Sequence, residues 1–385
     1  MAASTIQPFV IRTPDSELDA LQQRLAATRW PDAETPSDWT QGLPLAYAQE
    51  LCAYWQNEYQ WREREAYFNG FPQFLTELDG LDIHFIHRQS AEAQARPLLM
   101  THGWPGSVVE FHKVIGPLVD PVAYGGRAED AFHVVCPSLP GYGFSAKPTR
   151  TGRGVERIAT PWNTLMQRLG YTRYFAQGGD WGSAVTTAIG LQNLGQCAGI
   201  HINMPNAGAP KDALANPDDK DKVALAGARY YAEWGAGYSK QQSTRPQTLS
   251  YGLVDSPMGQ AAWIIEKFFE WTDCQGHPEN VLTRQELIDN VMFYWLPGTG
   301  ASSARLYWES FGTAFGGGAD RQVTLPTGCS IFPKEIVATP RRWAEQRYPN
   351  IVYWNALDRG GHFAAFEQPA LFVQELRACF GAMAL

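Results

Sequence analysis

The sequence predicts an α/β protein built on a doubly wound, mostly parallel sheet with a helical insertion. Three observations carry that expectation. Short apolar runs and helical runs alternate between residues 81 and 194, the pattern of strands joined by crossover helices. Residues 206–322 interrupt it with a helical stretch rich in aromatics, among them Trp263, Phe268 and Trp271. The alternation then resumes over residues 323–332 and 351–356. The 385 residues thus divide into an N-terminal extension (1–80), a first part of the core (81–205), a helical cap (206–322) and a second part of the core (323–385).

In chain order, the extension reads as helical and connecting. Ser16 is placed to cap a helix with Leu18, Leu21 and Leu25 on one face and Asp19 at the capping-box position. Trp39, Trp55 and Trp61 serve as apolar anchors for docking on the core. Residues 81–86 alternate like a strand, and 97–100 and 132–136 read as short buried strands ending in Gly/Pro turns. Residues 157–169 read as a helix, 174–176 as a strand running into Gly178, and 183–194 as a helix. A last helix near Pro369 carries Leu371, Phe372 and Leu376 on one face. In such a sheet the reactive residues sit on loops at the C-terminal ends of the strands.

Composition narrows the partners. A net charge of −8 offers no basic surplus for phosphates, so nucleic acid is not expected; the pair Arg341-Arg342 reads as a solvated helix face. The six cysteines are scattered, with no Cys-x-x-Cys and no zinc spacing with His, and reduced thiols in a cytoplasm fit best. The first 17 residues lack the basic and apolar regions of a signal peptide. No apolar run approaches bilayer length. The expected setting is the cytoplasm, without a membrane anchor, and a homodimer is compatible with the sequence. An aromatic content of 13%, with 14 Trp, suits a thick core or an apolar ligand cavity.

The sharpest chemical signal is Gly178-Gly179-Asp180-Trp181-Gly182, which follows a strand and opens a helix. That is the setting of the nucleophile elbow of the α/β-hydrolase fold, with Asp in place of Ser. The glycines have a reason: the sharp turn leaves no room for side chains and strains the central residue. The bland alternative is an Asp capping an ordinary strand-to-helix turn. A carboxylate at the elbow changes the reaction, because it is a weak acyl nucleophile but can displace a leaving group from sp³ carbon, forming an alkyl ester. Cleaving that ester needs a general base, an acid to orient it and an oxyanion hole.

His362, in Arg359-Gly360-Gly361-His362-Phe363, follows the last strand and fits the chain order nucleophile, acid, His. His84, His87, His133 and His201 lie within strands, and His112 and His277 have no supporting context. The orienting acid is either Glu335, just after the penultimate strand, or Asp358, four residues before His362. His102-Gly103-Trp104-Pro105-Gly106 occupies the loop that supplies one oxyanion-hole amide in this fold, here from Trp104; the other comes from Trp181.

Together with residues 137–145 (Pro-Ser-Leu-Pro-Gly-Tyr-Gly-Phe-Ser) and 360–367 (Gly-Gly-His-Phe-Ala-Ala-Phe-Glu), these motifs resemble the microsomal-type epoxide hydrolases over nearly the whole chain, the N-terminal extension included. The resemblance implies Asp180 as nucleophile, His362 as base and Glu335 as the charge-relay acid, in a Phe-Pro-x-Glu-Ile context and 27 residues before His362. It implies that two cap tyrosines, Tyr238 and Tyr307, activate the epoxide oxygen, and that Trp104 and Trp181 border the substrate as well. Tyr230, Tyr231 and Tyr294 compete for the place given to Tyr238. The implied partners are a small apolar epoxide and water, with no metal or organic cofactor. The mammalian members begin with a membrane anchor that this sequence lacks. Three rivals stand beside this expectation. A haloalkane dehalogenase shares the nucleophile and the ester but needs N–H donors for halide rather than phenols. A catalytically silent binding protein has no need of all three of Asp180, Glu335 and His362. A serine esterase is disfavoured because Ser183 lies one turn past the elbow.

Overall fold

The computed structural model describes residues 5–316 and 321–383. Among the described residues nine strands form one sheet: β1 (Gln7–Phe9), β2 (Gln73–Leu78), β3 (Leu81–Arg88), β4 (Arg96–Thr101), β5 (Phe132–Pro137), β6 (Tyr174–Gly178), β7 (Cys197–Ile202), β8 (Thr327–Ile331) and β9 (Ile351–Ala356). Their order is β1-β2-β3-β5-β4-β6-β7-β8-β9. The first three run antiparallel at one edge, and β5, β4, β6, β7, β8 and β9 are mutually parallel. This is the α/β-hydrolase fold.

The central strands are buried without alternation: every residue of β6, β7 and β8 is buried, the polar Gln177, His201, Thr327 and Ser330 included. Strands covered on both faces require that pattern. The helix after β6, Asp180–Gln192, is buried from Asp180 through Gly190, with Ser183, Thr186 and Thr187 among the buried side chains.

The extension departs from the helical expectation. Its ends are strands, and β2 pairs with β3 through the two-residue turn Asp79-Gly80 in the register Leu78↔Leu81. Both turn residues have positive φ, 52° and 75°, the backbone that Asp-Gly hairpins adopt. Ser16 caps nothing. Pro14 occupies the N-cap position of the helix Asp15–Ala26, which starts with Asp15 and Glu17 in its first turn. Pro14 fixes the backbone for entry, and the two carboxylates favour the helix N-terminus, so Ser16 falls inside. Leu21 and Leu25 are buried as expected. Trp55 and Trp61 are buried, and Trp39 stacks on Phe269 at 4.1 Å, joining the extension to the segment between β7 and β8.

That segment holds only helices among the described residues. Arg342 does not lie on a simple solvated face. It pairs with the buried Asp221 of helix Asp219–Tyr230, and Trp343 Nε1 donates to the same carboxylate at 2.8 Å. Arg341 is exposed and pairs with Glu345. All six cysteines are buried and free. Among the described residues no helix is long and apolar enough to cross a membrane.

Candidate active site

The chain reverses direction across the sheet at β4, which has β5 on one side and β6 on the other. Such a switch point opens a crevice beyond the strand ends. Here it sets the loop after β4 beside the turn after β6, with Thr101 opposite Gly178. Asp180 sits in that turn with φ 49°, in the left-handed region that a side chain rarely adopts. The glycines around it are not equivalent. A Cβ on Gly178 would sit 2.0 Å from Gly182 O, one on Gly182 1.8 Å from Thr101 O, and one on Gly103 2.3 Å from Asp180 Oδ1. Gly179 meets nothing within 4 Å, so the outer pair and Gly103 carry the steric demand.

The Trp104 amide donates to Asp180 Oδ1 at 2.8 Å. His362 Nε2 stands 3.3 Å from the other oxygen, Oδ2. The Trp181 amide lies in the first helical turn, where N–H groups have no intrahelical acceptor. On the far side of His362, Nδ1 lies 2.5 Å from Glu335 Oε1, which also accepts from the Ile336 amide at 2.8 Å. The loops carrying the two residues pair backbone to backbone, with Lys334 N donating to Gly360 O at 3.1 Å. The alternative acid, Asp358, points outward with its side chain 84% exposed and pairs with Arg359.

Charge follows from this geometry. Burial opposes a proton on His362, but the negative charge and hydrogen bonds of Glu335 and Asp180 overrule it and hold the imidazole well above its usual pKa. His102 is the opposite case. Leu139 N donates to its Nε2 at 3.1 Å and its Nδ1 lies 2.9 Å from Gly103 O, and burial lowers its pKa to about 4. It is a neutral strut between the loop after β4 and residues 137–145. The strand histidines His84 and His201 pair with Ser138 and Ser330, and burial depresses both.

A cavity of about 490 Å³ is lined by Asp180, Tyr231, Tyr238 and Tyr307 together with apolar side chains including Leu225 and Phe311. Tyr307 is positioned by helix Gly300–Phe315, which residues 137–145 tie to the core: Tyr142 OH donates to Ser303 O and Ser302 Oγ to Gly141 O. The Tyr231 and Tyr238 hydroxyls are 3.1 Å apart. Burial raises all three phenols above the usual tyrosine range, so they hold their protons. The rings of Trp104 and Trp181 stand behind the tyrosines of this cavity, and Trp104 lines the smaller space beside Asp180 and His362. Trp104 stacks on Tyr238 at 4.9 Å, and Trp181 meets the Tyr307 ring edge-on at 4.8 Å. Tyr230 is 57% exposed, and Tyr294 donates instead to Gly106 O. Ser183 Oγ donates to Met204 O at 2.6 Å and is buried.

Sequence reasoning missed three neighbours. Tyr231 appeared only as a competitor, and its hydrogen bond to Tyr238 had no sequence signal. Lys267 lies 4.9 Å from the Tyr238 ring centre and pairs with Glu266 and Glu270; the run Glu266-Lys267 with Glu270 is visible, its site is not. Trp271 packs against the His362 ring at 5.0 Å and accepts the His362 amide at 2.8 Å.

The geometry defines a hydrolase of the α/β-hydrolase class with a carboxylate at the elbow. A family model described as alpha/beta hydrolase fold matches residues 96–252, and one described as Epoxide hydrolase N terminus matches residues 6–111. The chain belongs to the epoxide hydrolase family, as its relatives show. It is 55% identical to the "Putative epoxide hydrolase" of Stigmatella aurantiaca, covering 97% of this chain and 84% of that protein. It is 36% identical to Epoxide hydrolase 1 of Sus scrofa, covering 98% and 89%. The crystal structure of juvenile hormone epoxide hydrolase from Bombyx mori superposes with a TM-score of 0.90 at 32% identity, covering 98% and 95%.

Proposed function

We propose that the enzyme opens an apolar epoxide to a vicinal diol through an alkyl ester on Asp180. The observation that carries this reading is one cavity in which a carboxylate and protonated phenols face the same space. Asp180 Oδ1 is engaged by the Trp104 amide, which leaves Oδ2 to attack. Oδ2 bonds to one ring carbon, that carbon's bond to the ring oxygen breaks, and the oxygen takes a proton donated by Tyr238 or Tyr307. An alkoxide is too basic to leave unaided, and a phenol is a suitable acid.

Esterification removes the charge of Asp180, one of the two anions that sustain the proton on His362. The step that leaves a phenolate at the donating tyrosine therefore releases a proton at His362, which passes through solvent to the phenolate, so that His362 becomes the neutral base the second step needs. Water attacks Cγ, His362 Nε2 takes its proton, and the Trp104 and Trp181 amides hold the negative charge on Oδ1. The Cγ–Oδ2 bond breaks and the diol leaves with Oδ2, protonated by His362. Glu335 orients the imidazole throughout.

Halide would leave without a proton, so paired phenols favour epoxide over haloalkane. The cavity volume and the apolar side chains Leu225, Phe311, Phe315 and Val337 suit a substrate with a bulky hydrocarbon body. In a single turnover in ¹⁸O-water the first diol should carry no solvent oxygen, because its new oxygen is Oδ2. Label in that product would rule out the ester.

A further inference from the structure

A second, much smaller cavity of about 20 Å³ also touches Asp180 and His362, and Glu110, Gln177 and Asn203 line it together with apolar side chains such as Phe111 and Phe363. That volume holds one water molecule, provided polar partners surround it. Partners are present. Gln177 Nε2 donates to Asn203 Oδ1 at 2.8 Å, leaving Gln177 Oε1 and Asn203 Nδ2 as an acceptor and a donor without a protein partner, on residues only 2% and 3% exposed. Such groups are costly unless a ligand satisfies them. Glu110 folds back under the loop after β4: a Cβ on Gly106 would sit 1.4 Å from Glu110 Oε1. Thr101 and His102, also on its wall, are already engaged. Thr101 Oγ1 accepts from Trp162 Nε1, and both ring nitrogens of His102 are paired.

We propose that this cell holds the water that hydrolyses the Asp180 ester, and that Glu110 is a catalytic residue which orients it. The proposal rests on the ester reading above. The water gives one hydrogen to His362 Nε2 and the other to the Glu110 carbonyl oxygen, and accepts from Asn203 Nδ2, which leaves a lone pair for Cγ of Asp180; the hydroxyl of the protonated Glu110 is the donor that remains for Gln177 Oε1. Enclosure pushes the Glu110 carboxyl up to about 8 in the resting enzyme, opposed by the charge of His362 and by a hydrogen bond from the Gly103 backbone and helped by the charge of Asp180, a shift toward the neutral form that weakens Glu110 as a rival base to His362. Water and apolar substrate thus reach one carboxylate from separate compartments.

The test resolves the two steps by rapid quench and intact-mass spectrometry with styrene oxide as probe, on wild type and on His362→Ala, Glu110→Leu and Glu110→Gln. Glu110→Leu should form the alkyl-enzyme within about threefold of the wild-type rate and hydrolyse it at least about thirtyfold more slowly, so the adduct accumulates. Glu110→Gln, with the same shape and an amide that both donates and accepts, should restore hydrolysis to within about fivefold. Equal losses in both steps would mean that Glu110 only supports the loop, and unchanged hydrolysis in Glu110→Leu would also overturn the proposal. A crystal structure of the wild-type enzyme decides the matter should Glu110→Leu not fold: a water within hydrogen-bond distance of Glu110 is expected, and a dry cell overturns the proposal. If His362→Ala forms no adduct, it is the ester reading that fails.

Discussion

Two anions face the two nitrogens of His362, Glu335 at Nδ1 and Asp180 at Nε2. Its raised pKa therefore reports on both, and a change at Asp180 alone should be readable at the ring. Asp180→Asn keeps the shape of the side chain but removes its charge, as the proposed ester would. The His362 pKa, followed by NMR of the imidazole, should fall by at least about one unit, the usual effect of losing a close opposite charge. An unmoved titration would mean that Asp180 does not sustain the proton and that the coupling between the two steps is absent. At this scale the sequence was informative where chemistry is local. Asp180 was legible because a carboxylate between glycines at a strand–helix junction has few other uses. Glu335 and Asp358 could not be separated by spacing, since what separates them is direction: one turns into the site and the other into solvent.

The turn around Asp180 makes a sharp demand at the level of the element. Gly182→Ala would force a Cβ against Thr101 O, whereas Gly179→Ala meets open space. Gly182→Ala should destabilise by about 1–3 kcal/mol, the cost of overpacking a close contact, and should lose activity with it. Gly179→Ala should stay within about 0.5 kcal/mol of wild type, as at unconstrained sites. Urea denaturation of the two variants checks both values, and equal losses would refute the distinction. The core strands were readable because buried parallel strands read as short, mostly apolar runs. The β2–β3 hairpin was equally present in the sequence, as Asp79-Gly80 between two apolar runs, but the helical character of the preceding segment masked it. The Ser16 cap failed because Pro14 fixed the helix start two residues earlier.

Across the whole molecule, the extension is bound into the structure by charge as well as by stacking. Arg64 makes a two-pronged contact with Asp289, which is fully buried on helix Arg284–Trp295 and also accepts from Tyr59. That helix in turn braces the loop after β4, through Asn290 Nδ2 to Pro105 O and Tyr294 OH to Gly106 O. Arg64→Ala would leave a buried carboxylate without its cation, a loss of about 3–5 kcal/mol, read as a fall in the urea midpoint. A loss below about 1 kcal/mol would mean that the pair is a passenger. None of this was legible in the sequence, because partners 185 to 230 residues apart meet only in the folded chain. Tyr238 and Tyr307 came from resemblance for the same reason.

The Trp104 amide holds one oxygen of Asp180 and leaves the other, which faces His362 Nε2, free to attack. On the proposed course each cycle hands the free oxygen to the product and takes its replacement from solvent, while the held oxygen stays in place. The side chain is then renewed by half. However long the enzyme works in heavy-oxygen water, a peptide containing Asp180 should gain a single heavy atom and no more, and uptake of two would show that the carboxylate turns over between cycles. The oxygen under Trp104 would be the one the ribosome put there.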